Sequence, residues 1–162
     1  MKMTIKITKG KYKSTASIYR VIRYILNPAK NPHNISNIEA VTDKEIAKIV
    51  DSFKEVQREY RKESGKRILH FFVTFPTNAN LSYDSYLKIA FDIADYFEYH
   101  QLIFAMHELN KHLEPCAKHI HFAVNPINFY TGKRLDINKD NLKELRQCIH
   151  TIVQDSIPFF EE

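Results

Sequence analysis

Residues 2–8 (KMTIKIT) alternate apolar and polar side chains, the period of a strand with one buried face. Ser14 is placed to cap a helix over 15–27, in which Ile18, Ile22 and Ile25 recur at helical spacing and Asn27-Pro28 forms the stop. Residues 28–41 hold two prolines and three asparagines and read as an exposed loop. Thr42-Asp43-Lys44-Glu45 is a capping box, opening a helix to about 63 with Ile46, Ile49, Val50, Phe53 and Val56 on one side and Gly65 as its end. Residues 67–75 (RILHFFVTF) are nearly continuous in apolar character, which predicts a central strand. Ser82 caps a third helix over 83–98, and 101–107 (QLIFAMH) is a further strand. An irregular loop through Pro115 leads to a strand at 118–125, and the two strands are spaced for antiparallel pairing. After a turn at Thr131-Gly132, a last helix spans 139–155 with Leu142, Leu145, Ile149, Ile152 and Val153 on its apolar side.

The order β-α-α-β-α-β-β-α gives an α+β class: a central antiparallel sheet with helices packed mainly on one face. At 162 residues the chain is expected to form one domain, 1–162, and 44% hydrophobic residues supply its core. Only 3 glycines and 6 prolines argue against a linker-rich or repetitive build. A formal charge of +5 favours a polyanionic partner. Cys116 and Cys148 form no disulfide framework, the first ten residues lack the apolar core of a signal peptide, and no apolar run is long enough to span a bilayer. A cytoplasmic protein is expected.

The chemistry lies in the histidines. There are 8, and four of them fall between 107 and 121. In His119-Ile120-His121 the two imidazoles project from the same face of a strand while Ile120 turns to the other. If the strands at 101–107 and 118–125 pair, His107 joins them. Three imidazoles converging with coordination positions left open can hold a divalent metal for catalysis. His70 heads the FFVTF run and is read as a core histidine or a neighbour of that site, and His112 as a loop residue. His33, His100 and His150 show no usable pattern.

Four blocks resemble, in order, those of the relaxases, the mobilisation nucleases of plasmids and conjugative elements, within the HUH endonucleases named for a His-hydrophobic-His motif. They are Ile22 to Lys30 (IRYILNPAK), His70 to Pro76 (HFFVTFP), Gln101 to His107 ending Ala-Met-His, and His119 to Phe129 (HIHFAVNPINF) running on to Arg134. The second block has Thr74 where the family usually has Ser, and Leu109 stands where an Asp often follows the first metal histidine. Tyr24 precedes the histidine motif, the chain order of relaxases rather than of replication initiators or small transposases.

The resemblance implies a ferredoxin/RRM-like palm, with a divalent ion, Mg²⁺ or Mn²⁺, on His107, His119 and His121, and Tyr24 as the nucleophile. The activity it implies is site- and strand-specific nicking and rejoining of single-stranded DNA at an origin of transfer, through a 5′-phosphotyrosine, with accessory mobilisation proteins as further partners. Lys11, Lys13, Arg23 and Lys30 are candidates for phosphate contacts, with Lys9 in the same basic arm, and Tyr12 lies where it could stack on a base. Glu108, Glu114 and Asn125 are candidates for orienting the ligating rings. Three competing classes stay open: a DNA-binding module of the same build without cleavage, a histidine-metal hydrolase or oxygenase acting on a small molecule, and a structural protein whose histidines merely pack.

Overall fold

The computed structural model describes residues 3–8, 10–39, 42–79 and 81–156. Its elements are β1 (Thr4–Ile7), α1 (Thr15–Ile25), α2 (Asp43–Glu59), β2 (Leu69–Thr74), α3 (Tyr83–Tyr96), β3 (Leu102–Leu109), β4 (Pro115–Val124) and α4 (Lys139–Ser156), with a short 3₁₀ turn at Pro28–Lys30. The predicted order is met. So is the class: a four-stranded antiparallel sheet in the order β1-β2-β4-β3. The predicted helix starts are built as the sequence implied, because Ser14, Thr42 and Ser82 each accept a backbone N–H from the first turn of their helices.

The distribution of helices differs from expectation. On one sheet face Phe71, Val73, Phe104, Met106, Ile120 and Phe122 pack against Tyr86, Ile89 and Ile93 of α3 and Leu145, Ile149 and Val153 of α4. On the other, Ile103, Ala105 and Ala123 meet Ile18, Ile22 and Ile25 of α1, with Ile46, Val50 and Phe53 of α2 in the same cluster. The helices therefore divide two and two, giving three layers. The strands explain why: β3 at Ile103–Ala105 and β4 at Phe122–Val124 are apolar on both faces, and a sheet buried on both sides needs cover on both. The small side chains Ala105 and Ala123 let α1 approach that second face.

Two connections also depart from the sequence reading. The strand pair runs past the histidines to Leu109 and resumes at Pro115, so the expected long irregular loop is a tight turn over 110–114. Its side-chain clamp is Asn110, whose Oδ1 accepts from the backbone N–H groups of His112 and Glu114. Of the segment 28–41, expected to be exposed, residues 35–37 instead pair along the free edge of β3, and Ala40 and Val41 lie outside the described residues. Ser36 bridges to Ala105, and Met106 N–H donates to the Ile35 carbonyl at 2.9 Å. Asn37 completes the cover, accepting from Phe104 N–H at 2.8 Å and donating to the Leu102 carbonyl at 3.0 Å. An unpaired edge is a liability, and this strap removes it. α2 ends at Glu59, short of the expected 63.

Candidate metal centre and nucleophile

The sheet register sets the site. His107 of β3 lies directly opposite His119 of β4, and His121 sits between Phe72 of β2 and Ala105 of β3. Period-two alternation puts all three imidazoles on the face covered by α1. Ring centroids are 4.3 Å apart for His107 and His121, 4.8 Å for His119 and His121, and 5.5 Å for His107 and His119. One nitrogen from each ring lies within 4.8 Å of one nitrogen from each of the others.

What holds each ring is a hydrogen bond from its far nitrogen. His107 Nε2–H donates to the carbonyl of Ile25 at 2.9 Å, and His119 Nδ1–H donates to the carbonyl of Ala117 at 2.8 Å. His121 Nδ1 and His70 Nε2 share a proton at 2.9 Å. Placed on His121, that proton leaves His121 Nε2 with its lone pair. Ile25 is the last residue of α1, where the carbonyls lose their intrahelical donors. Pro28 has no N–H, and Ala29 N–H turns instead to Asn27 Oδ1, so the Ile25 carbonyl is left to receive the imidazole.

The donor set fits a cation. Buried His107 Nδ1 and His121 Nε2 have no hydrogen-bond partner among the described residues, although an unpaired buried polar atom is costly. Burial drives the ring pKa values down: His107 and His70 to about 4, with His119 and His121 moved in the same direction. Neighbouring imidazoles and Lys30 push His107 and His121 further down. The rings are neutral near pH 7, which keeps their lone pairs available for a metal. The carboxylates proposed from sequence do not take part in holding them. Glu108 points to the opposite sheet face, where its carboxylate accepts from Tyr83 OH at 2.9 Å and pairs with His33 Nδ1 at 2.8 Å. Glu114 lies in the 110–114 turn. Asn125 is fully buried but serves the fold, bonding Gln57, Gln101 and the Phe53 carbonyl. The residues that do orient the rings are His70 and two backbone carbonyls.

Tyr24 lies in the last turn of α1, one residue before the carbonyl that holds His107. Its ring stands edge-on over the cluster, 5.3 Å from both His107 and His121 and 6.2 Å from His70, and it is 43% exposed. Lys30, half-buried, sets its Nζ 4.4 Å from the Tyr24 ring centroid. Partial burial raises the phenol pKa, so Tyr24 carries its proton at neutral pH. Arg23, beside it, is exposed and lines a cleft of about 400 Å³ between the end of α1 and the start of α2. Lys11 and Lys13 are exposed in the segment before α1, while Lys9 lies outside the described residues. Tyr19, five positions earlier, is turned toward Asp43.

Sequence reasoning placed the three imidazoles and Tyr24 but not the partners of the rings, since a carbonyl acceptor has no residue letter. His70 alone had a signal, a histidine at the head of an otherwise apolar central strand. No described helix is long and apolar enough to cross a membrane. Comparisons with curated proteins and with solved structures give no match. A family model described as the relaxase MobA/VirD2-like nuclease domain matches residues 24–156, a span that opens on Tyr24 and takes in all three imidazoles. The chain belongs to the relaxase family, the nucleases of DNA mobilisation.

Proposed function

We propose that this domain nicks one DNA strand at an origin of transfer, with Tyr24 as nucleophile and His107, His119 and His121 holding a divalent cation. The observation that supports this reading is the position of the Tyr24 ring, 5.3 Å from two of the three convergent imidazoles and open to solvent on its other side. A nucleophile from one element and a metal-binding cluster from two others meet where a single phosphate would touch both.

The cation's contribution when bound is Lewis-acid polarisation of a non-bridging phosphate oxygen, offsetting charge that builds in the transition state. An all-imidazole set suits a transition ion such as Mn²⁺ better than Mg²⁺, which prefers oxygen ligands. The rest falls to side chains. The Tyr24 oxygen attacks phosphorus in line, forming the tyrosyl–phosphate bond as the bond to the 3′-oxygen breaks. The phenolic proton is lost in the step and the 3′-oxygen leaves as a hydroxyl, so the exchange is balanced and reversible. Because burial opposes ionisation of the phenol, the Lys30 ammonium over its ring favours the developing phenolate. Lys11, Lys13 and Arg23 contact backbone phosphates on the way in and fix the strand without reading its sequence.

The test is mass spectrometry of the protein after incubation with single-stranded origin DNA and Mn²⁺. The wild type is expected to carry an oligonucleotide on the peptide containing Tyr24. Tyr24→Phe is expected to carry none while keeping its melting temperature and its Mn²⁺ affinity. An adduct on another tyrosine, or an undiminished adduct in Tyr24→Phe, would sink the assignment.

A further inference from the structure

Arg20, Val21 and Tyr24 of α1 line a cleft of about 340 Å³ whose other walls are Thr8, Tyr12, His70, Phe72 and His121. Besides Tyr24, two aromatic side chains, Tyr12 and Phe72, form its walls. Tyr12 has a φ of 39°, the left-handed region that a residue with a Cβ adopts at a cost. Three contacts keep it there. Its carbonyl accepts the Arg67 N–H at 2.7 Å, and its ring packs onto Gly10, where any Cβ would collide with it. Lys66 Nζ lies over the same ring, 5.8 Å from the centroid. Strain of this kind persists only where the surroundings over-determine it, and it concentrates at binding sites. Phe72 is paired in register between Lys6 and His121, on the imidazole face, with its ring 4.9 Å from that of His121. It is only half-buried, although the same face is closed over by α1 a few residues away.

Aromatic side chains and an arginine lining one cleft beside Tyr24 match what a flat, uncharged ring on a phosphodiester strand requires. We propose that this cleft is a nucleobase pocket: Tyr12 and Phe72 take one base adjacent to the scissile phosphate, and Arg20 meets the backbone beside it. The assignment rests on the proposed function for where the phosphate sits. Stacking tolerates any base, so the pocket contributes affinity and strand register while the basic arm contributes charge.

The experiment compares two probes of equal charge, a poly-thymidylate strand of about a dozen nucleotides and an abasic strand of the same length. Both are titrated by fluorescence anisotropy against protein carrying Tyr24→Phe, so that no cleavage intervenes. Tyr12→Asn removes the ring while tolerating the left-handed backbone, and Phe72→Leu keeps apolar volume without the π face. Each is expected to weaken poly-thymidylate binding about ten-fold. Binding of the abasic strand should stay unchanged, as should the salt dependence for either probe. Tyr12→Phe should bind as the parent does. Equal losses on both strands, or no loss on either, would overturn the pocket. Adduct formation by the wild type separates the two readings. An adduct with no base-dependent affinity removes the pocket alone, whereas base-dependent affinity with no tyrosyl adduct removes strand cleavage alone.

Discussion

His121 is gripped on one nitrogen and bare on the other, and the grip is another imidazole rather than a carboxylate or a carbonyl. Among the described residues, His70 is thus the one side chain whose hydrogen bond fixes the angle of a candidate ligand. Removing it frees the His121 ring to rotate and to change tautomer, without touching the ion. His70→Ala is expected to lower Mn²⁺ affinity about 10- to 100-fold in calorimetric titration. His150→Ala, on the exposed side of α4, should leave it unchanged. Equal affinities for His70→Ala and the parent would show that the ring is held by packing alone. The clustering of the three histidines was readable because strand periodicity needs only two letters and a gap. Glu108 misled for the same reason: it neighbours His107 in the chain, and neighbours in a strand face apart. The carbonyls of Ile25 and Ala117 were not readable, since any residue could have supplied them.

At the scale of elements, the caps announced where helices begin, and Pro28 announced where α1 ends. The fate of residues 31–38 was hidden, because a strap over a sheet edge depends on a strand some 67 residues further on. That strap follows the segment bearing Lys30, and His33, stacked on Tyr83 at 4.0 Å, pins it to Glu108. Asn37 is its main fastening, with both side-chain polar groups bonded to β3 backbone. Asn37→Ala leaves the Phe104 N–H and the Leu102 carbonyl without those partners, at a cost of about 1–3 kcal/mol. The loss should be local. Hydrogen exchange is expected to quicken at the amides of Phe104 and Met106, which face the strap, while β2 in the sheet interior keeps its protection. Uniform quickening across the sheet would mean that the strap has no separate role. The division of helices between two faces was equally hidden. Leu69 to Thr74 announces burial, but only the register shows that one face carries phenylalanines to α3 and α4 and the other carries histidines to α1.

For the whole molecule, the consequence of three layers is that a cluster of bases sits inside the fold rather than on its rim. His70, His107 and His121 are buried, and the first two titrate near 4 in the folded chain. In the unfolded chain each would titrate near 6.5. Between those values the unfolded state binds more protons, so the slope of stability against pH is positive there. Above about pH 7.5 the histidines are almost wholly neutral in both states and contribute little slope. As the pH falls toward 4 they favour unfolding, by about 1 kcal/mol per pH unit for each fully buried ring. A bound divalent ion works in the opposite direction, since it requires the neutral rings of the folded state and adds its binding free energy to stability. Two melting curves therefore test the architecture together. With divalent ions chelated, the melting temperature should fall steadily from about pH 6.5 to 4.5 and level off above about 7.5. With excess Mn²⁺ it should be higher at neutral pH and drop more steeply on acidification, converging on the chelated curve as protons displace the ion. His107→Asn should make the first curve shallower, since the other buried imidazoles still titrate, and abolish the gap to the second. A melting temperature indifferent to pH across the lower range would place the imidazoles in water, and would remove the physical basis for a preformed metal centre in this sheet.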